Sequence, residues 1–394
     1  DTNSTFLTVD QNSGYLTINT NLRLQNSTSQ TTGNIFKDGN VRFIHNYGSN
    51  NTFMGLQSGN FQTTASGNTG IGSTALSNLQ NGNYNTGVGA NVLSFTTSGF
   101  ENTAVGYQSL YANNTGKINT ATGVNSLYSN FNGERNTAVG HSSLFNNVNG
   151  ADNTAIGEKS LYANIGWFLN TAVGENTLTA NTSGHSNTTI GGSSLRFNTT
   201  GYQNTAVGVG ALNTTTGFNN TAIGYSADVP SNTGNNQIRI GNTFITYAGV
   251  QVGWTITSDR KWKDNITKSN LGLRFISKLN PVSYTRKNDT NSKIEYGFIA
   301  QELEEVLKES GVENTGMITI DDNGNYEFRY NDLFAPIVKA IQELKSENDE
   351  LQSANEKLTL EVQSLKTINE KLVKLEKIVN ELSELKHAAL EVSK

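Results

Sequence analysis

The sequence predicts a mostly β fold: a parallel β-solenoid or β-roll shaft, then a small α+β module, then a C-terminal α-helical coiled coil. Three observations carry that prediction. Asparagine recurs every 17 residues from Asn51 to Asn204. Of the 28 basic and 33 acidic residues, only 17 lie in residues 1–257, and the charge gathers after Ser258. Beyond Pro336 the chain has no further glycine or proline, and its apolar residues fall in steps of three and four.

At 394 residues the chain exceeds one ordinary core, so several modules are expected. A charge-poor Asn/Thr/Gly segment of this length could be disordered on composition alone, but a strict period argues for stacked structure. The chain has no cysteine, which excludes disulfides and thiolate metal sites. Its histidines, His45, His141, His185 and His387, are scattered, so no metal site and no cofactor are expected. No basic-aromatic block suggests nucleic acid. No apolar run reaches membrane-spanning length and no signal peptide is evident, so membrane insertion is not expected; Asp1 suggests a processed start. These features predict a soluble, rod-like protein.

Residues 1–50 read as a strand-rich lead-in, with short strands at Phe6–Val9, Tyr15–Ile18 and Leu22–Leu24 and turn signals at Gly14 and Gly39. Residues 51–227 carry the repeat. Each Asn is followed mostly by Thr, a small residue, Val or Ile, and Gly, as in Asn102-Thr103-Ala104-Val105-Gly106; Leu stands eight positions after the Asn. Such a period fits one β-coil per repeat. Glycine would supply a turn that a side chain obstructs, and Val/Ile and Leu would point inward from two short strands. Eleven coils about 4.8 Å apart would make a section of roughly 50 Å, and the aligned Asn side chains could bond to one another as a ladder. Gly70-Ile71-Gly72 and Gly208-Val209-Gly210 resemble nucleotide-loop glycines but lack a strand–helix context. Nine positions after the Asn stand Tyr111, Tyr128, Phe145 and Tyr162, an aromatic column that is either a glycan- or receptor-binding face or a packing ladder. Trp167-Phe168-Leu169 interrupts the polar loop pattern and is a further candidate for receptor contact.

The block resembles the N-T-A-V-G repeats of trimeric autotransporter adhesin heads and repeats of phage tail fibres, which form left-handed parallel β-rolls of three chains. That resemblance implies a trimeric shaft.

Residues 228–257 read as a tapering β-neck, with strands at Ile238–Ile240 and Phe244–Tyr247 and Trp254–Thr257 running into Ser258. In residues 258–335 the segments Ser258–Ile266, Leu279–Tyr284 and Tyr296–Leu303 occur in order, followed by Tyr330 and then, in the next module, by Ala340–Leu344. This series is similar to the endosialidase-type C-terminal intramolecular chaperone of phage tail spikes and fibres and of myelin regulatory factor. The resemblance implies trimerisation, guided folding of the upstream fibre and self-cleavage before the motif serine. It implies Ser258 as nucleophile, Lys263 as general base and Thr257–Ser258 as the scissile bond. The chemistry is reasonable in itself, because a serine hydroxyl needs a nearby base and a desolvated lysine can serve. Residues five apart share no helix or strand face, so a turn must join them. The plainer reading makes Ser258 a cap and Lys263 a solvated cation. Asp259 and Gln301 are candidate accessory groups, although Gln301–Leu307 also fits an ordinary amphipathic helix ending near Gly311.

In residues 336–394, Pro336 suits a first helical turn. Ile341, Leu344, Asn348, Leu351, Asn355, Leu358, Val362, Leu365, Asn369 and Leu372 trace a coiled-coil seam, and a second register from Leu375 to Val392 marks a distortion or a fold-back. Asn at seam positions fixes register at a cost in stability. The sequence thus predicts a homotrimeric tail fibre or spike shaft on a virion tail or an extracellular injection apparatus. It would contact a host receptor or glycan and an upstream fibre or baseplate segment, with a chaperone that cuts itself off. A bacterial surface adhesin using the same assembly domain is the alternative. A glycan-degrading spike finds no paired-carboxylate pocket in the repeat.

Overall fold

The computed structural model describes residues 7–9, 16–18, 35–37, 41–313 and 315–392. The chain divides into two compact units, Asp1–Ala248 and Gly249–Lys394. The first is a parallel β-solenoid. Three-residue strands from Thr52–Met54 to Thr221–Ile223 pair in parallel and in register, Thr on Thr at every rung and Ala on Ala at about half, and Ile238–Ile240 adds the last rung.

Each coil carries one strand, not the two expected, and the inward residue differs as well. Side chains alternate along Asn-Thr-Ala-Val, so Asn102 and Ala104 are buried while Thr103 and Val105 face outward. The interior is narrow enough to take Ala, Gly or Thr from this side in most coils. Leu fills the other side from a turn rather than a strand: Leu110, Leu127 and Leu144 have φ of 50°, 50° and 51° and no exposed surface. A left-handed Leu costs about 1–2 kcal/mol, and burying its side chain returns roughly 1.5–3 kcal/mol. Glycine after the strand is required for a different reason. Gly106 has φ 132°, and a Cβ there would lie 2.5 Å from the Gly123 carbonyl oxygen of the next coil.

The Asn ladder forms as the period predicts. Asn119 Nδ2 donates to Asn102 Oδ1 at 3.0 Å and to the Gly133 carbonyl at 2.8 Å, and the Asn119 amide donates to the same Asn102 oxygen at 3.1 Å. Gln237 ends the column by donating its amide to Asn220 Oδ1 at 3.0 Å. A second Asn ladder runs from Asn113 to Asn198, with Asn147 Nδ2 donating to Asn130 Oδ1 at 2.8 Å.

The first coil is covered by an antiparallel hairpin, Ile35–Lys37 and Val41–His45, which protects the sheet edge. At the end of its second strand, buried His45 lies 4.5 Å from the Phe61 ring and 4.9 Å from the Phe53 ring. Leu7–Val9 and Leu16–Ile18, within the expected strands, pair antiparallel; Phe6, Tyr15, Leu22–Leu24, Gly14 and Gly39 lie outside the described residues.

The strand expected at Phe244–Tyr247 is absent. Among the described residues no segment pairs with it, and an unpaired strand has no ladder to hold it. Every residue from Thr243 to Asn270 is exposed, including Trp254 at 77% and Trp262 at 74%.

The second unit is built on Leu271, Phe275, Leu303, Leu307, Met317 and Leu333. Helix α1 (Leu273–Ile276), the hairpin Val282–Thr285/Ile294–Gly297, helix α2 (Ala300–Glu309) and the hairpin Ile318–Ile320/Tyr326–Phe328 surround it. Gly311, at φ 71°, follows α2 as a stop. Helix α3 then runs unbroken over Phe334–Val392, 59 residues or about 88 Å. The seam's change of phase therefore lies within one continuous helix, and the fold-back does not occur.

Candidate functional site

The residues read as catalytic meet in one short turn. Asp259 starts it: its carboxylate accepts the Lys261 amide at 3.1 Å and pairs with Lys261 Nζ at 3.3 Å. Arg260–Trp262 forms a single 3-10 turn, closed by the Trp262 amide on the Asp259 carbonyl and the Lys263 amide on the Arg260 carbonyl, each at 3.1 Å. Lys263 leaves it in an extended conformation (φ −126°, ψ 127°). This geometry solves the spacing problem of residues five apart: Lys263 Nζ lies 2.6 Å from Ser258 Oγ, a charge-assisted hydrogen bond. Both side chains and Thr257 are exposed. Asp259 thus acts on the geometry of the turn, at its cap.

Gln301 lies elsewhere. It is exposed in the first turn of α2 and lines a shallow hollow with Phe298, Tyr326 and Tyr330. Among the described residues, no hydrogen bond joins it to Ser258 or Lys263.

Several other motif residues hold the module together. Tyr330 Oη accepts the Phe298 amide at 3.2 Å. A Cβ on Gly297 would stand 2.2 Å from that oxygen, which is why glycine precedes Phe298. Glu343, within Ala340–Leu344, reaches back from α3 to accept the Leu273 amide at 2.6 Å, and Lys339 Nζ donates to the Ser269 carbonyl at 2.5 Å. The Leu273 amide, first among its partners, holds the Glu343 carboxyl below the usual carboxylate range. These contacts fix to α3 the segment that follows the Ser258–Lys263 turn. Their pairing could not be read from the sequence, because Leu273 and Glu343 are 70 residues apart.

On the solenoid, Tyr111, Tyr128, Phe145 and Tyr162 form the stripe the period predicts. Consecutive centroids are 5.0, 5.0 and 5.2 Å apart with interplanar angles of 14°, 2° and 13°. Each inner ring therefore spends both faces on its neighbours and offers its edge to solvent. A second stack, not anticipated, joins Phe168, His185, Tyr202 and Phe218, with centroids 5.4, 5.0 and 4.9 Å apart. Its signal was in the sequence, two positions before each Asn. Trp167 joins this stack on His185 at 5.7 Å. It occupies the column held by Gly133, Gly150 and Gly184 in other coils, and its carbonyl accepts Asn153 Nδ2 at 2.8 Å as Gly150 accepts Asn136 at 2.7 Å. Trp167, Phe168 and Leu169 are exposed at 38%, 43% and 56%.

Among the described residues, no helix is long and apolar enough to cross a membrane. Residues 258–312 match the peptidase family described as chaperone of endosialidase. No curated protein and no solved structure matches the chain. The family match begins at Ser258, and together with the β-solenoid it fits a tail-fibre-type protein with a C-terminal chaperone segment.

Proposed function

We propose that this chain is a homotrimeric fibre or spike shaft for host attachment, and that its C-terminal module chaperones assembly and then severs itself at Thr257–Ser258. The observation that carries the reading is the 2.6 Å contact between Lys263 Nζ and Ser258 Oγ, at the first residue of the family match. Ser258 Oγ attacks the Thr257 carbonyl carbon, and its proton passes to Lys263 Nζ. The Thr257 C–Ser258 N bond breaks, and the departing amine takes that proton. Water then hydrolyses the ester between Thr257 and Ser258 Oγ, leaving a Thr257 carboxylate and a Ser258 with its hydroxyl and a free amino group.

A lysine accepts a proton only as the neutral amine, which burial favours. Both members of the pair are exposed in the single chain, within a stretch of exposed residues rich in aromatic side chains. The reading therefore places the working state of the pair in the assembled trimer, where neighbouring chains cover that stretch. Receptor or glycan contact is assigned to the exposed step at Trp167–Leu169, where the second stack ends, rather than to the Tyr111–Tyr162 column, whose inner rings have both faces on their neighbours.

Intact mass after expression tests the cleavage. The wild type should yield fragments ending at Thr257 and starting at Ser258, and Ser258→Ala and Lys263→Ala should stay full length. Full-length wild type would make the module a permanent clamp and remove the peptidase from the reading.

A further inference from the structure

Each solenoid strand turns two columns of side chains away from the coil interior. The first is threonine in every coil from Thr52 to Thr221. The second, two residues on, is apolar in every coil from Met54 to Ile240 except at Thr122. Its members are solvent-facing in the single chain: Ile71 is 37% exposed, Val139 36%, Ile156 39% and Ile223 43%. Neither column carries a charge. The ionic groups of the coils, such as Lys117, Glu134, Arg135 and Asp152, stand on other columns.

We infer that this Thr/Val–Ile face is the seam along which copies of this chain pack against one another. The inference rests on the homotrimer reading and assigns its surface. Outward β-branched residues suit a strand by themselves, but threonine would serve that purpose in water, as the neighbouring column shows. An apolar residue at eleven of twelve rungs, over roughly 55 Å at the usual strand spacing, calls for cover along its whole length. The other apolar columns do not have this extent: Phe131, Val148 and Ile165 span three coils, and the aromatic stacks span about four. The occupant follows from the period. A partner that meets every rung in the same way must have the same rise per coil, and a second copy of this chain has it. The absence of charge disfavours an ionic partner, and in-register threonine and β-branched rows can interlock with their own kind.

The chain lacks cysteine, so single thiols can be placed without background. Val139→Cys and Ile156→Cys report on the seam, and Val148→Cys reports on a turn column. The three native side chains have nearly equal exposure in the single chain, 36%, 39% and 39%. Maleimide labelling of the assembled full chain is compared with native mass. If the inference holds, the complex is trimeric and the two seam thiols react roughly tenfold more slowly than the thiol of the Val148→Cys variant, because thiol chemistry needs access. A trimer in which all three label alike overturns the seam and leaves the trimer standing. A monomer overturns both.

Discussion

The solenoid and the C-terminal helix use asparagine and apolar side chains in opposite ways. Within a coil, Leu110 and Ala104 have no exposed surface and Asn102 is wholly buried with its amide group bonded. Along α3, Leu351, Leu358 and Leu365 are exposed at 64%, 58% and 64%, and Asn348 and Asn355 share their stripe. A coil closes its hydrogen bonds and its narrow core through the coils on either side, so folding propagates along one chain. A single helix of this length buries nothing by itself, and its apolar stripe is stable only against partners. The solenoid has a core of its own and presents only an outer face to neighbours, whereas the C-terminal stretch of α3 has no core without them.

The sharpest way to break that contrast is at α3. Leu358→Lys with Leu365→Lys should abolish assembly, and with it part of the helicity of α3, while leaving the solenoid strands intact. Native mass should fall from trimer to monomer, and under the proposed mechanism the Thr257–Ser258 cut should be lost with it. A trimer surviving both lysines would mean that α3 is not the clamp.

The regions also differ in how far their sequences could be read. The solenoid was legible because every coil repeats the same local solution, so the 17-residue spacing announced the parallel rungs, the Asn ladder and the Tyr111–Tyr162 stack. What misled was the assumption that the bulkier Val or Ile must face inward. The preceding Asn takes an inward position, and strict alternation then sends Val out. In the C-terminal unit Ser258 and Lys263 were singled out by the family resemblance rather than by their spacing, and the turn that brings them into contact spans six residues. The clamp of Glu343 on Leu273 was not, because no period links residues so far apart. Asp259, a candidate accessory group by sequence, instead caps the joining turn by accepting the Lys261 amide.

A smaller effect should show the same residue type changing sign between the regions. Asn136 Nδ2 donates to Asn119 Oδ1 and to the Gly150 carbonyl, and its Oδ1 accepts both the amide and Nδ2 of Asn153. Asn136→Ala strands the Asn153 amide, a buried group costing about 1–3 kcal/mol when left unpaired, and leaves the Gly150 carbonyl with Asn147 Nδ2 at 3.3 Å as its donor. The Tm of the solenoid should fall by several degrees. Asn355→Ile, on the exposed stripe of α3, should instead raise the stability of the assembled helices and loosen their register. Thermal unfolding of the two variants beside the wild type decides this, and a loss of stability in both would erase the distinction.

The smallest effect tests the one place where, among the described residues, the solenoid buries an ionisable side chain outside its ladders. His45 Nε2 donates to the Ser58 carbonyl at 2.6 Å, and His45 Nδ1 accepts the Tyr47 amide at 3.4 Å, so the neutral ring satisfies both partners. Burial, first, and the nearby Arg42 guanidinium hold its pKa below the ordinary value, against the opposing pull of the Ser58 carbonyl. The unfolded chain then binds more protons than the native one once pH drops below about 6.5, and stability falls with pH through that window. Protonation would also put a donor at Nδ1, opposite the Tyr47 amide. Between pH 7.5 and pH 5, a range that ends above most carboxylate titration, the wild type should lose a few degrees of Tm, by the usual scaling of stability with Tm. His45→Gln, uncharged at either pH and able to donate to Ser58, should lose less. Equal losses in the two proteins would place the acid sensitivity outside the cap. The first coil would then be as indifferent to protons as the Asn-laddered coils that follow it.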